Sequence, residues 1–357
     1  MSPRTQAYAE KSALVGATGE SLLRTLGAVL LSMMATWGSS AFAESSDPTE
    51  VSAVSVAESL GMTPRQVQQV RSGEIVSVEI PSASNKDLAV ALVAVIDAPV
   101  EQAGKLIRAG LVTDVSETTL AEGVIDLDSR ALLAFSIPEE VAGRIRRLRG
   151  DAYFWSDRER ASLERLDSEP DAGALSAWLK SLMRQRAEAY WRGGVGAIEP
   201  YAGDGRSAGA DLAHANEAAR ALVGLEELGD ELEGVPADQT SAAQPTMFWA
   251  LERGRDVLAP VLGHRMTWER EDGWIMVERR FYSGYDYDAL QIVAGLLPDS
   301  SDRRSIVFYS NHTFTAQVTG LGGRAKRAVG RRLMERRLVE EIERVRAAIA
   351  ASASGGD

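Results

Sequence analysis

The chain of 357 residues has no cysteine and only three histidines. Without cysteine there can be no disulfide, thiolate zinc site, iron–sulfur cluster or cysteine nucleophile. The histidines, His214, His264 and His312, fall at no spacing that a metal motif uses, so no metal is expected. No G-x-S-x-G elbow and no Walker motif occurs, which removes the usual signatures of serine hydrolases and P-loop nucleotide enzymes. The stretch from Gly320 to Ala325 nominally fits a G-x-G-x-x-A fingerprint. Too little chain follows it for the rest of a dinucleotide-binding domain, so it reads as the lead-in to a helix, and no cofactor is expected. No repeat is present. The formal net charge of −12 argues against nucleic acid as a partner.

One apolar run stands out, from Leu26 to Met34. It follows the sparse positive charges Arg4 and Lys11, with Arg24 adjoining it, and precedes Ala41-Phe42-Ala43, a small-x-small cleavage pattern. Residues 1–43 are therefore expected to be a Sec-type signal peptide, cleaved after Ala43, and the protein to be exported to the periplasm. The run falls short of the roughly 20 apolar residues a spanning helix needs. Residues 44–56 are Ser-rich and acidic and read as a disordered lead-in. Residues 57–350 are expected to form one α+β domain with a largely helical insertion at about 150–250, and residues 351–357 a frayed tail.

Within the domain, Thr63-Pro64 signals a helix start and Gly73 its end. Residues 74–80 alternate like a half-buried strand, and 87–96 is a continuous apolar run that predicts a strand covered on both faces. A helix is expected after Ala98-Pro99 and short strands near 132–137. Helices are expected over 139–149, 175–190 and 208–228, with a loop over 230–244. Asp272-Gly273 between two β-rich runs predicts a hairpin of 264–271 with 274–282. Strands follow over 290–297 and 305–316. Last comes a long helix over 324–350, with Met334, Leu338, Ile342, Val345 and Ile349 on one stripe.

The residues Ala89 to Glu101, Val307 to Thr315 and the helix from Gly320 to Arg346 carry a resemblance to the START-like, helix-grip superfamily of lipid-binding proteins. The segments 55–73 and 279–297 also resemble parts of an uncharacterised group of exported bacterial proteins. The resemblance implies an antiparallel sheet grasping a long C-terminal helix, with an apolar cavity between them.

Aromatic residues concentrate between Phe248 and Phe314. They either pack the core beneath a helix or line a cavity for an apolar ligand with a polar end. The ligand-binding candidates are Trp268, Trp274, Tyr282, Tyr285, Tyr309, Asn311, His264 and Arg265. Arg324, Lys326, Arg327 and Arg331 are candidates for docking on anionic membrane, against the alternative of a solvated helix face. The leading expectation is a non-catalytic periplasmic binding or carrier protein for an apolar or lipid-like ligand. The alternatives are an envelope interaction or assembly factor without a small ligand, and a cyclase- or hydrolase-type enzyme on the same scaffold.

Overall fold

A computed structural model describes residues 60–108, 119–127, 139–148, 153–166, 170–203, 206–220, 244–253, 258–270, 273–299 and 303–354, together with Ile137, Leu232 and Pro236. The expected signal peptide, the lead-in, the strands near 132–136 and the end of the 208–228 helix lie outside these residues.

The elements run α1 (Pro64–Arg71), β1 (Val76–Val78), β2 (Asp87–Ile96), α2 (Val100–Arg108), β3 (Thr119–Val124), α3 (Glu139–Leu148), α4 (Asp157–Glu164), α5 (Ala172–Gly193), α6 (Ala208–Arg220), β4 (Gln244–Arg253), β5 (Leu258–Arg270), β6 (Gly273–Ser283), β7 (Ala289–Pro298), β8 (Ser305–Phe314) and α7 (Gly323–Ser354). The strands form one open antiparallel sheet of eight in the order β1-β2-β8-β7-β6-β5-β4-β3. The fold class is α+β. The sequence places β2, β6, β7, β8 and α7 within a few residues and finds the β5–β6 hairpin, but β5 begins at Leu258, six residues before the expected start at 264. It misses α4, β3 and β4.

Local chemistry explains the helix starts. Thr63 and Gln66 form a reciprocal capping box on α1, and Ser156 and Glu159 do the same on α4. Asp171 Oδ1 accepts from the Ala174 amide at 2.7 Å to cap α5. In the sheet, three glycines lie beneath cross-strand aromatic rings: Gly123 under Trp249, Gly263 under Phe248 and Gly295 under Phe308. A register shift at Leu262/Gly263 leaves Phe281 as the extra residue of β6. Phe281 and Tyr282 consequently join the same core rather than opposite faces.

Both faces of the sheet are covered. On one, the α7 stripe of Met334, Leu338, Ile342 and Ile349 packs on alternate residues of β2, β6 and β7, including Leu88, Leu92, Met276, Ile292 and Leu296. Val345 packs against the same cluster. On the other face, α3, α4 and α5 cover β4, β5 and the end of β6, with Leu179, Met183 and Tyr190 fully or nearly buried. A third cluster joins α1, through Val70, to the odd-numbered side of β2 and to Val277 and Phe308.

Candidate functional site

The central strands carry charge into the interior. β6 is buried over its whole length, yet it contains Glu278, Arg279 and Arg280 in succession. Alternation sends Glu278 and Arg280 to the α7 face and Arg279 to the opposite one.

On the α7 face, register aligns Asn311, Ile292, Glu278 and Arg265 across β8, β7, β6 and β5. The adjacent row runs Thr313, Leu290, Arg280, Gly263 and Phe248. Arg265 Nη2 donates to Glu278 Oε2 at 2.7 Å, and Arg280 Nε donates to Glu278 Oε1 at 3.0 Å. Arg280 Nη1 donates to Glu252 Oε1 at 2.5 Å and to the Tyr287 hydroxyl at 3.1 Å. Two arginines and two glutamates thus form one neutral chain, all of it within 2% of complete burial. The Arg265 guanidinium also lies over the Phe248 ring, 5.0 Å from its centre. Beside the chain, Asn311 Nδ2 donates to the Tyr309 hydroxyl at 2.9 Å, and Thr313 Oγ1 donates to Asn311 Oδ1 at 2.7 Å.

Burial alone would lower the Arg280 pKa, but Glu252, Tyr287 and Glu278 together hold it well above its usual value. Burial pushes the Glu252 carboxyl up, with Arg280 opposing. Two polar atoms of this pair are left over: Glu252 Oε2 and Arg280 Nη2 are buried and have no hydrogen-bond partner among the described residues. An unpaired buried polar atom costs about 1–3 kcal/mol, and native interiors contain few.

The opposite face carries a second polar row: His312, Gln291, Arg279 and His264 lie in cross-strand register on β8, β7, β6 and β5. His312 Nδ1 is 2.8 Å from Asp87 Oδ2, which also accepts from the Ala83 amide at 2.7 Å. Arg279 donates from Nε to Gln291 Oε1 and from Nη2 to Asn216 Oδ1 of α6. The Tyr190 hydroxyl of α5 is 2.9 Å from His264 Nδ1, and the Tyr190 ring stacks on Phe281 with centroids 4.1 Å apart. Burial, with Arg279 adding to it, pushes the His264 pKa down to about 3, so the ring is neutral. Nearby, Arg186 forks onto both oxygens of Glu159 at 2.6 Å and lies 4.3 Å over the Tyr282 ring. Burial pushes the Tyr282 hydroxyl well above its usual range.

The sheet therefore separates the residues singled out from sequence. Arg265, Trp274, Tyr309 and Asn311 are on the α7 face, while His264, Trp268 and Tyr282 are in the cores of the opposite face. Tyr285 lies in the β6–β7 connection, packed beside Phe154. The charged chain of Glu252, Glu278 and Arg280 is not among the residues that the sequence singles out. Its sequence signal is a strand with charges at successive positions between two other strands, so that neither face can be the wet one. Arg324, Lys326, Arg327 and Arg331 open α7 at the edge of the molecule, away from the buried cluster. Among the described residues no group of three or more histidine, aspartate or glutamate side chains could hold a metal ion.

These features define an α+β protein whose antiparallel sheet has α7 on one face and the other long helices on the opposite face, with a neutral charged chain buried on the α7 side. No family model, no curated protein and no solved structure matches this chain.

Proposed function

We propose that the protein is a non-catalytic binding or carrier protein of helix-grip type, holding an apolar or lipid-like ligand between the sheet and α7. The observation that carries this reading is the leftover pair on the α7 face of β4 and β6, Glu252 Oε2 and Arg280 Nη2. A bound polar group that both accepts and donates would satisfy both atoms at once. Because the surrounding chain is already neutral, an uncharged group such as a hydroxyl or carboxamide fits better than a phosphate. Phe248, Trp274 and Tyr309, buried on the same face, supply apolar surface for the rest of the ligand. Its burial contributes about 25 cal/mol per Å².

Organic extraction of protein purified without detergent, followed by mass spectrometry, should release a neutral amphipathic molecule absent from a mock purification. Glu252→Gln, isosteric and hydrogen-bonding, should retain the fold by circular dichroism and carry at least fivefold less of it. A single ligand-free mass by native mass spectrometry, with an extract no different from the mock, would overturn the proposal.

A further inference from the structure

The start of α7 is chemically unlike the rest of the molecule. Between Asp302 and Glu335 the sequence contains no acidic residue, in a chain with 51 of them. Within that interval Gly320 and Gly322, at φ +70° and +75°, turn the chain back on itself and present Leu321 at the tip, 95% exposed. Only glycine adopts such angles readily, so the tip is built into the backbone. Among the described residues the large exposed hydrophobics are Val124, Leu321 and Val329, and two of the three are here.

Most of the cations around that tip are unpaired among the described residues; Arg327 donates to the Asn85 carbonyl at 2.8 Å. Arg324, Lys326, Arg332 and Arg336 make no ion pair with a described carboxylate, and Arg331 reaches only Glu79, at 3.9 Å and itself 90% exposed on its side chain. Further along the helix the pattern reverses: Arg337 and Arg344 both pair with the buried Glu341. The unpaired cations surround Ala325, Ala328 and Val329 on the outward side of α7, while Gly330 and Met334 face the sheet. Behind Leu321, Asn85, Arg324 and Arg327 border an open recess of about 400 Å³.

We infer that this end of α7 docks on an anionic lipid bilayer, with Leu321 entering the headgroup region and the surrounding cations contacting lipid phosphates. Two features favour a bilayer over an acidic protein. The charge is spread around a helix end rather than patterned along a groove, and an isolated apolar tip has no counterpart pocket to require. The acidic remainder of the protein would orient the molecule by repulsion, turning this end toward the membrane. A Lys or Arg near an anionic membrane contributes roughly 1 kcal/mol, so a handful suffices for reversible attachment.

Sedimentation with vesicles provides the test. The protein should pellet with phosphatidylcholine vesicles containing 30% phosphatidylglycerol at low salt, should not pellet with pure phosphatidylcholine, and should be released by 0.5 M salt. Arg324→Glu combined with Lys326→Glu and Arg332→Glu should lower the bound fraction more than tenfold with an unchanged circular dichroism spectrum. Because the chain lacks cysteine, Leu321→Cys gives a single attachment point for an environment-sensitive dye, whose emission should shift to the blue when anionic vesicles are added. Absence of lipid-dependent pelleting, binding indifferent to the triple charge reversal, an unshifted dye, or preferential binding to DNA instead would each overturn the inference.

Discussion

A buried ionisable residue couples folding to pH, and His264 is the clearest case. The folded protein holds this side chain neutral down to about pH 3, whereas the unfolded chain takes up a proton near the ordinary value of 6.5. Its contribution to stability is therefore complete above about pH 6.5 and is lost as pH falls toward 3, at about 1.4 kcal/mol per pH unit. His264→Asn keeps an acceptor where Nδ1 meets the Tyr190 hydroxyl but cannot be protonated. Urea denaturation of the two proteins at pH 7, 6 and 5 should show the gap between them narrowing as pH falls. A gap independent of pH would mean that His264 is protonated or solvated in the fold. Raised carboxylates such as Asp211 and Asp288 contribute with opposite sign, which the comparison of variant with parent cancels.

At the scale of the element, the sheet depends on close contacts that single-residue propensities do not describe. A Cβ built on Gly263 would stand 2.1 Å from Phe248 Cζ. Gly263→Ala must displace that ring, and with it the Arg265 guanidinium above it, at a cost of about 1–3 kcal/mol in thermal or chemical denaturation. Phe248→Leu in the same chain should recover part of the loss. The hairpin that holds Gly263 was legible from Asp272-Gly273, and so was α7 from its stripe of three- and four-residue steps. β4 was not: Pro245, Glu252 and Arg253 interrupt its apolar pattern, and its pairing with β5 is a tertiary matter. The candidate site was legible only in part for the same reason. A reader of sequence can see that Trp274 and Tyr282 are aromatic and share a strand. The switch of face between them, however, comes from the bulge opposite Leu262/Gly263, which depends on the partner strand.

At the scale of the whole molecule, the sheet is a wall shared by separate cores. Leu338 of α7 and Leu179 of α5 are buried on opposite sides of it, with relative exposures of 1% and 2%. Each, changed to alanine, should cost about 2–5 kcal/mol. Because β6 contributes side chains to the cores on both sides, both variants should shift the same calorimetric transition. Two transitions, each moved by only one variant, would show that the helical layer melts apart from the α7 side. The shared wall also bears on what sequence change the protein can tolerate. An ordinary half-buried strand alternates constrained positions with free ones, but all eleven residues of β6 are buried. A saturation scan should read this strand as one unbroken run of intolerance, while α7 shows tolerance rising and falling with the turn of the helix. Drift in such a protein would then be confined to its helices, tips and sheet edges, with β6 as the part that descendants share longest.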